Sequence, residues 1–406
     1  MSPLSLTPNP MRQLAIYAVL GLTYLGLAFG CFPGLRMNRA TIALVGSAFL
    51  IALGALKLQE AWDAIDAKTI VFLLSMMVVN ANLSFAGFFP RSLSILLSFT
   101  RSPLGLITVL TFGSGILSAF FLNDTLALVF TPLTLGLTKS LNLNPIPYLL
   151  AVAGATNIGS VATLSGNPQN ILIGSFSGIG YLDFARALTP IASIGLVIQV
   201  GLLWLLYPDV RSTQPCNQLS NGKARIYKPL YQKTLIITTG LLIAFAIGLP
   251  LAESALVAAS LLLITRRIKP QRILKQVDWN LLVMFSGLFI LSQVTQKLNL
   301  LEPFTHAARS PAGLLSVTAV LSNLISNVPA VLLLQPLIPK DNSQSWLLLA
   351  AGSTLAGNLT LFGSVANLIV VEAAAELGYK LSFLEHLRFG LPLTVLTLLL
   401  TFLLIG

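Results

Sequence analysis

The chain has 406 residues, of which 55% are apolar and only 9% are charged. This composition excludes a soluble globular protein, because a soluble chain of this length needs a charged surface. The net charge of +11 does not indicate a nucleic-acid partner, since the basic residues lie in short stretches between apolar runs, as in loops beside a membrane. Two cysteines and two histidines are too few for a disulfide framework or a Cys/His metal cluster, so we expect no cofactor.

Apolar stretches long enough to span a hydrocarbon core, about 17–25 residues each, recur along the whole sequence. They are continuous and lack the alternation of barrel strands, so we predict an all-α polytopic membrane protein. The first stretch, residues 14–30 after Arg12, also has features of a signal peptide, but Ala28 and Phe29 fit a cleavage site poorly and favour a helix. The ten predicted spans are 13–31, 40–56, 67–86, 145–178, 184–207, 231–249, 252–266, 279–297, 345–377 and 387–405.

Two further apolar segments, 103–138 and 311–339, are interrupted in the middle by polar residues. Each is either a pair of short spans or a re-entrant hairpin that enters and leaves on one side, and we predict hairpins. The spans 145–178 and 345–377 are too long for one straight crossing, and Gly, Asn or Pro interrupts each of them. Irregular backbone at membrane depth is tolerated only inside protein or beside a water-filled cavity. The breaks are therefore predicted to be internal.

Basic residues predict the orientation of the chain. With the amino terminus outside, 17 of them fall on the cytoplasmic side and 7 outside. If each hairpin were instead a pair of spans, every loop would lie on the same side as before, so the charges support the orientation but not the re-entrant hairpins. Both termini are thus predicted outside a bacterial-type inner membrane. The stretch 208–230 is the predicted cytoplasmic linker between an N-terminal repeat, 1–207, and a C-terminal repeat, 231–406. Each repeat has five spans and one hairpin, and this odd number inverts the second repeat relative to the first.

The two halves share polar motifs in the same order, which predicts an internal repeat. Ser118 is followed five residues later by Asn123, and Ser322 by Asn327. Each of these asparagines is followed nine residues later by a Pro-Leu pair. At a constant offset of 197 residues, three residues of the first half, Thr163, Gly166 and Asn170, recur in the second as Thr360, Gly363 and Asn367.

The breaks are predicted to expose helix ends near the membrane midplane. Pro168 removes a backbone donor and Gly166 lets the chain turn, which leaves a helix amino terminus near Gln169. Free N–H groups and the positive dipole end favour an anion. Alone, this motif also fits an ordinary kink, but its repeat partner favours a binding site. The residues predicted to bind the substrate are Asn123, Asp124, Thr125, Gly166, Asn167, Asn170, Ser326, Asn327, Ser364 and Asn367.

Asp124 is the only acidic residue in the four motif segments. A charge at that depth costs at least roughly 2.5–3.5 kcal/mol and usually has a function, here as a proton-coupling carboxyl or a cation ligand. The alternative is a helix cap. Its repeat partner is Val328, so the two half-sites differ chemically. A serine in such a segment either binds a cation or donates to a backbone carbonyl of its own helix. The residues predicted to bind a cation are Ser118, Asn123, Thr163, Ser322, Asn327 and Gly363.

The motifs at 123–125, 155–170 and 322–330 resemble those of the ion transporter superfamily, which includes divalent anion:sodium symporters, citrate transporters and arsenite permeases. The resemblance covers nearly the whole chain. It implies a scaffold part, a transport part with two re-entrant hairpins, an elevator-type movement and a homodimer. It also implies that Ser-Asn-Thr signatures at both hairpin tips bind a substrate carboxylate and that sodium binds beside them. Val328 stands where the second signature has Thr, so one hydroxyl donor is missing.

We therefore predict a secondary active transporter that moves a small anion, coupled to a sodium or proton gradient. The main alternative is a sodium/proton antiporter that uses Asp124. An intramembrane enzyme is not indicated, because the sequence has no metal-ligand spacing and no nucleophile–base pair. A passive channel is disfavoured, because paired closed hairpins are typical of alternating access. The predicted partners are a small anionic solute and the lipid bilayer.

Overall fold

The computed structural model describes residues 10–32, 34–100, 102–214, 228–265, 268–376 and 378–406. These residues form helices and no strand. The first ten α-helices are α1 (Pro10–Phe29), α2 (Arg39–Ala52), α3 (Leu58–Asp63), α4 (Ala67–Phe85), α5 (Phe88–Leu97), α6 (Pro103–Phe120), α7 (Asn123–Ser140), α8 (Ile146–Ser160), α9 (Pro168–Ser177) and α10 (Tyr181–Leu206). The second ten are α11 (Lys228–Ala246), α12 (Leu251–Leu263), α13 (Pro270–Leu274), α14 (Trp279–Lys297), α15 (Glu302–Ala308), α16 (Pro311–Ile325), α17 (Asn327–Leu334), α18 (Ser343–Ala356), α19 (Val365–Glu376) and α20 (Phe383–Ile405).

Corresponding helices of the two halves begin with the same capping chemistry. The carboxylate of Asp66 accepts from the backbone N–H of Thr69 at the start of α4, and Asp278 does the same for Leu281 at the start of α14, both at 3.1 Å. The hairpin helices α6 and α16 each follow a capping serine and begin with proline. Side-chain oxygens satisfy free N–H groups at helix starts, and proline fits the first turn. These local signals set where both hairpins begin.

The packing of the helices also corresponds between the halves. Helix α6 packs on α8 as α16 packs on α18, and α7 packs on α19 while α9 packs on α17. Helix α4 packs on α12, and its counterpart α14 packs on α2. Two groups result: a supporting bundle around α2, α4, α12 and α14, and a site bundle around α6–α10 and α16–α20.

In the part of the chain that the structure describes, six helices are long and apolar enough to cross a membrane, namely α1, α4, α6, α10, α11 and α20. A seventh is counted if α14 and α15, which meet at 96°, form one bent span. The all-α polytopic membrane class is confirmed. Two of the ten predicted spans are short here, since α2 has 14 residues and α12 has 13. The overlong predicted spans are broken: 145–178 is α8 and α9, and 345–377 is α18 and α19.

Burial increases from the edge of the molecule to its centre. Only 28% of the apolar windows of α1 and α11 is buried within the protein, against 67% for α4. In α8, every residue from Pro147 to Ser160 is buried. Helix α8 therefore lies at the centre of the protein, where polar side chains are shielded from lipid. The predicted linker 208–230 starts with a 3-10 turn, Pro208–Arg211, and its last residues belong to α11; residues 215–227 lie outside the described residues.

Candidate substrate and ion site

The first hairpin breaks where the sequence predicts a break. Helix α6 ends at Phe120 and α7 begins at Asn123, so the tip is only two residues long. The backbone N–H of Asn123 donates to the carbonyl of Gly166 at 3.0 Å. Its side-chain Nδ2 donates to Oδ1 of Asn157 at 3.2 Å. The hairpin tip is therefore fixed to the unwound chain between α8 and α9.

That unwound chain closes on itself through two asparagines. Asn167 caps α9, since its Oδ1 accepts from the backbone N–H of Asn170 at 2.8 Å. Asn170 Nδ2 donates to the carbonyls of Ser160 and Thr163 at 3.0 and 2.9 Å. Gly166 leaves no room for a side chain, because a Cβ atom there would lie 2.4 Å from the Ser160 carbonyl oxygen. The close approach of the Ser160 carbonyl explains why glycine occupies position 166. The hydrogen bonds to backbone groups explain why asparagines occupy positions 167 and 170.

The second half repeats this arrangement. With its amide nitrogen turned toward acceptors, Asn327 donates to the carbonyls of Gly363 and Ser353 at 3.0 Å each. Asn367 Nδ2 donates to the carbonyls of Gly357 and Thr360 at 2.8 and 3.1 Å, as Asn170 does at the positions 197 residues earlier. The hairpin tip is thus joined to the break between α18 and α19.

Asn157, on α8, connects the breaks of both halves. Its Nδ2 donates to Oδ1 of Asn358 at 2.8 Å and to Oδ1 of Asn367 at 3.3 Å. Its Oδ1 accepts from Asn123 Nδ2 and, at 3.0 Å, from Ser364 Oγ. All five side chains are at most 4% exposed. A continuous amide network therefore lies in the protein interior, where unpaired polar groups are costly.

Thr354 has the corresponding role on α18. Its Oγ1 accepts from Asn167 Nδ2 at 3.2 Å and from Gln169 Nε2 at 3.1 Å. Sequence reasoning missed Asn157, Thr354 and Asn358 as site residues. A signal was present, because Asn157 is the only amide side chain of α8, but its partners Asn358, Ser364 and Asn367 lie about half the chain away.

The predicted cation residues have unequal partners. Ser118 Oγ donates to the carbonyl of Thr156 at 2.6 Å, and Thr163 Oγ1 donates to the carbonyl of Ala119. Ser322 is fully buried, yet its Oγ has no hydrogen-bond partner in the described part of the chain. The same holds for Oδ1 of Asn123. Both are oxygen atoms of the kind that binds a small hard cation.

Asp124 and Thr125 lie at the edge of the network rather than inside it. Both are half-buried, and Thr125 Oγ1 accepts from Asn80 Nδ2 at 3.4 Å. Asp124 is the second residue of α7, and the N-cap position of this helix is held by Leu122. The capping interpretation of Asp124 stays a prediction.

The chemistry of the assembled site is that of amides, hydroxyls and helix ends. Asp124 is the only charged residue among those named above, and no Lys or Arg accompanies it. Among the described residues, no group of three His, Cys, Asp or Glu side chains could hold a metal ion. Four helices, α7, α9, α17 and α19, begin at the breaks. Such a site can offer N–H and O–H donors to solute oxygens, and carbonyl or amide oxygens to a cation.

An all-α membrane protein with paired broken helices around a buried polar centre has the architecture of a transporter. The family comparison agrees: the chain belongs to the citrate transporter family, whose model matches residues 24–351. The predicted membership of the ion transporter superfamily is thereby confirmed, and the protein is an integral membrane protein with a solute as its partner.

The relatives cover almost the whole chain. It is 30% identical to the silicon efflux transporter LSI3 of Oryza sativa subsp. japonica, over 92% of this chain and 94% of the relative. It is 26% identical to the putative transporter arsB of Dictyostelium discoideum, over 90% and 86% of the two chains. The solved YdaH transporter of Alcanivorax borkumensis matches with a TM-score of 0.57 at 15% identity, covering 97% of this chain and 96% of that one, which is a similarity of fold alone.

Proposed function

We propose that the protein is a secondary active transporter that carries a small anion across the membrane, driven by a sodium or proton gradient. One observation carries the proposal: the polar breaks of both halves converge in a single buried network centred on Asn157. Intramembrane polar groups of this kind are usually functional. Helix amino termini and amide donors beside the network provide an anion site without Lys or Arg.

The proposed movement is alternating access of the elevator type by two inverted repeats. The matched order of α1–α10 and α11–α20, and the reciprocal packing of α4 on α12 and α14 on α2, support the repeats. In this proposal the site bundle moves with both hairpins against the supporting bundle, as a homodimer. Both termini lie outside a bacterial-type inner membrane, as the distribution of basic residues favours.

The proposed coupling starts with the cation or proton, which occupies the hairpin region first. Sodium binds at oxygens such as Ser322 Oγ and Asn123 Oδ1, whose lone pairs are free within the described residues, whereas a proton binds the carboxylate of Asp124. The added positive charge offsets the cost of removing an anion from water. The anion then docks on the helix ends at Asn123, Asn167 and Asn327, and both solutes cross together.

The names of the family and of the relatives guide the choice of solutes: a citrate transporter family, a silicon efflux transporter and an arsB transporter. The test is uptake of citrate, arsenite, silicic acid and sulfate into proteoliposomes, with and without sodium, at two pH values. We expect saturable uptake of citrate or sulfate that depends on an imposed gradient, since arsenite and silicic acid are largely uncharged near neutral pH and serve as the comparison with neutral solutes. Uptake indifferent to both sodium and proton gradients would refute the proposal.

The second candidate is a sodium/proton antiporter. It is favoured by Asp124, a half-buried carboxyl in the first turn of α7, beside the hairpin tip. The Asp124→Asn variant separates the antiporter from a sodium-driven anion symporter. The antiporter loses exchange in this variant, because Asp124 is the only carboxyl group in the four motif segments. A sodium-driven symporter keeps its anion uptake, because its coupling does not need this carboxyl group.

A further inference from the structure

Asn80, on the supporting helix α4, contacts the hairpin tip of the site bundle. The side chain is 1% exposed, and its Nδ2 donates to Thr125 Oγ1 at 3.4 Å. Its Oδ1 is buried and has no partner among the described residues. Thr125 follows Asp124 in the first turn of α7. A polar side chain of the supporting bundle therefore reaches a predicted substrate residue of the other bundle.

The other half has a matching contact at the corresponding position. Asn80 lies fourteen residues after the capping Asp66, and Ser292 lies fourteen residues after the capping Asp278. Ser292 Oγ donates to the carbonyl of Leu332, on α17, at 2.8 Å. Each supporting helix thus donates one hydrogen bond to the second arm of the hairpin of its own half. This recurrence argues against an accidental contact of Asn80.

We infer that Asn80 is a positioning residue of the substrate site, which acts through the hydroxyl of Thr125. A threonine hydroxyl has one proton to donate and two lone pairs that accept. Because Asn80 Nδ2 donates to Oγ1, the proton of Thr125 is not used in this contact and stays free to donate to an oxygen of the solute. This inference rests on the proposed transport function.

The first test compares near-isosteric variants on the same helix. Asn80→Leu removes the donor, whereas Asn82→Leu is the matched control, since Asn82 is also buried but its Nδ2 donates to Val78 O of its own helix at 2.8 Å. Losing one hydrogen bond predicts a roughly 2- to 10-fold rise in the solute concentration for half-maximal uptake. The maximal rate is measured alongside, because a positioning role in binding predicts a larger effect on the half-saturating concentration than on the maximal rate.

A double-mutant cycle separates positioning from a general packing defect. In a Thr125→Val background no hydroxyl remains to be oriented, so adding Asn80→Leu should not raise the half-saturating concentration further. Fully additive effects, or an equal rise in Asn82→Leu, would overturn the inference. Uptake is measured with citrate, arsenite, silicic acid and sulfate in turn.

A second measurement needs no solute. Hydrogen–deuterium exchange of the segment 121–126 in the detergent-solubilised protein should be several-fold faster in Asn80→Leu than in the wild type and in Asn82→Leu. Unchanged exchange would contradict the contact. If the wild type carries none of the four solutes in any gradient, the proposed function fails, while the exchange experiment still decides whether Asn80 holds the hairpin tip.

Discussion

Asn167 and Thr354 are hydrogen-bonded across the two halves of the chain, with Asn167 Nδ2 donating to Thr354 Oγ1 at 3.2 Å. Ser364 and Asn157 form the counterpart, with Ser364 Oγ donating to Asn157 Oδ1 at 3.0 Å. The residues of the two bonds are related pairwise by the same offset of 197 positions. Each half therefore bonds a residue of its own helix break to the helix that precedes the break in the other half, α18 or α8, and neither half forms this network alone.

Replacing the centre of the network is expected to abolish transport and to lower stability. Asn157→Ala leaves four buried polar groups without their present partner. Hydrogen bonds between membrane helices average about 0.6 kcal/mol each, so we expect a loss of about 2–3 kcal/mol in the free energy of unfolding. Thermal unfolding in detergent and proteoliposome uptake measure the two effects. Asn82→Ala is the control, because Asn82 bonds within its own helix, and an equal loss there would contradict the special role of Asn157.

The glycines of the two breaks are expected not to tolerate a methyl group. In Gly166→Ala the new Cβ would lie 2.4 Å from the Ser160 carbonyl oxygen, and in Gly363→Ala it would lie 2.7 Å from Asn323 Oδ1. Overpacking of this kind costs about 1–3 kcal/mol and displaces the hairpin tips, so uptake should be lost in both variants. Gly136→Ala is the control on the first hairpin, since nothing lies within 4 Å of its Cβ position. Normal uptake by Gly166→Ala would show that the tight turn is dispensable.

The two serines of the hairpins should differ in what their removal affects. Ser118→Ala removes a bond to the Thr156 carbonyl and should lower stability by about 0.5–1.5 kcal/mol. Ser322→Ala removes a buried hydroxyl without a partner in the described residues, so its stability should not fall, because the cost of burying an unpaired hydroxyl is removed.

If Ser322 Oγ binds the coupling cation, the Ser322→Ala variant will instead need several-fold more sodium for half-maximal uptake. Sodium titration of uptake measures this effect, and thermal unfolding measures the stabilities. An unchanged sodium requirement together with a large loss of stability would assign Ser322 a structural role.

The tip of the second hairpin holds a strained residue. Ser326 has φ +82° and ψ 159°, a region of backbone space that is essentially restricted to glycine and costs of order 1–3 kcal/mol for other residues. Ser326→Gly should therefore raise the free energy of unfolding by about that amount, whereas Ser326→Ala should not. Both variants lose the hydroxyl, so both should weaken solute binding equally if Ser326 contacts the solute. A stabilised Ser326→Gly variant with unchanged uptake would separate the strain from the function.

Residue types and hydropathy predicted much of the architecture. The membrane class followed from composition, and the breaks near Asn123, Gly166, Asn327 and Gly363 followed from Pro, Gly and Asn inside apolar runs. These signals are readable because chain reversal and helix termination depend on residues close in sequence. The short helices α3, α5, α13 and α15 were not predicted, since each is shorter than the patterns that identify a span.

Composition, hydropathy and motif spacing place this chain in a membrane, locate its helix breaks and identify the polar residues that recur in both halves. Which of these residues lie together depends on contacts between distant helices, which the fold alone supplies. Asn157 meets Asn358 across 201 residues of chain, and Asn167 meets Thr354 across 187. The packing of distant helices determines which group a buried amide bonds, so the residues next to that amide in the sequence do not predict its partner.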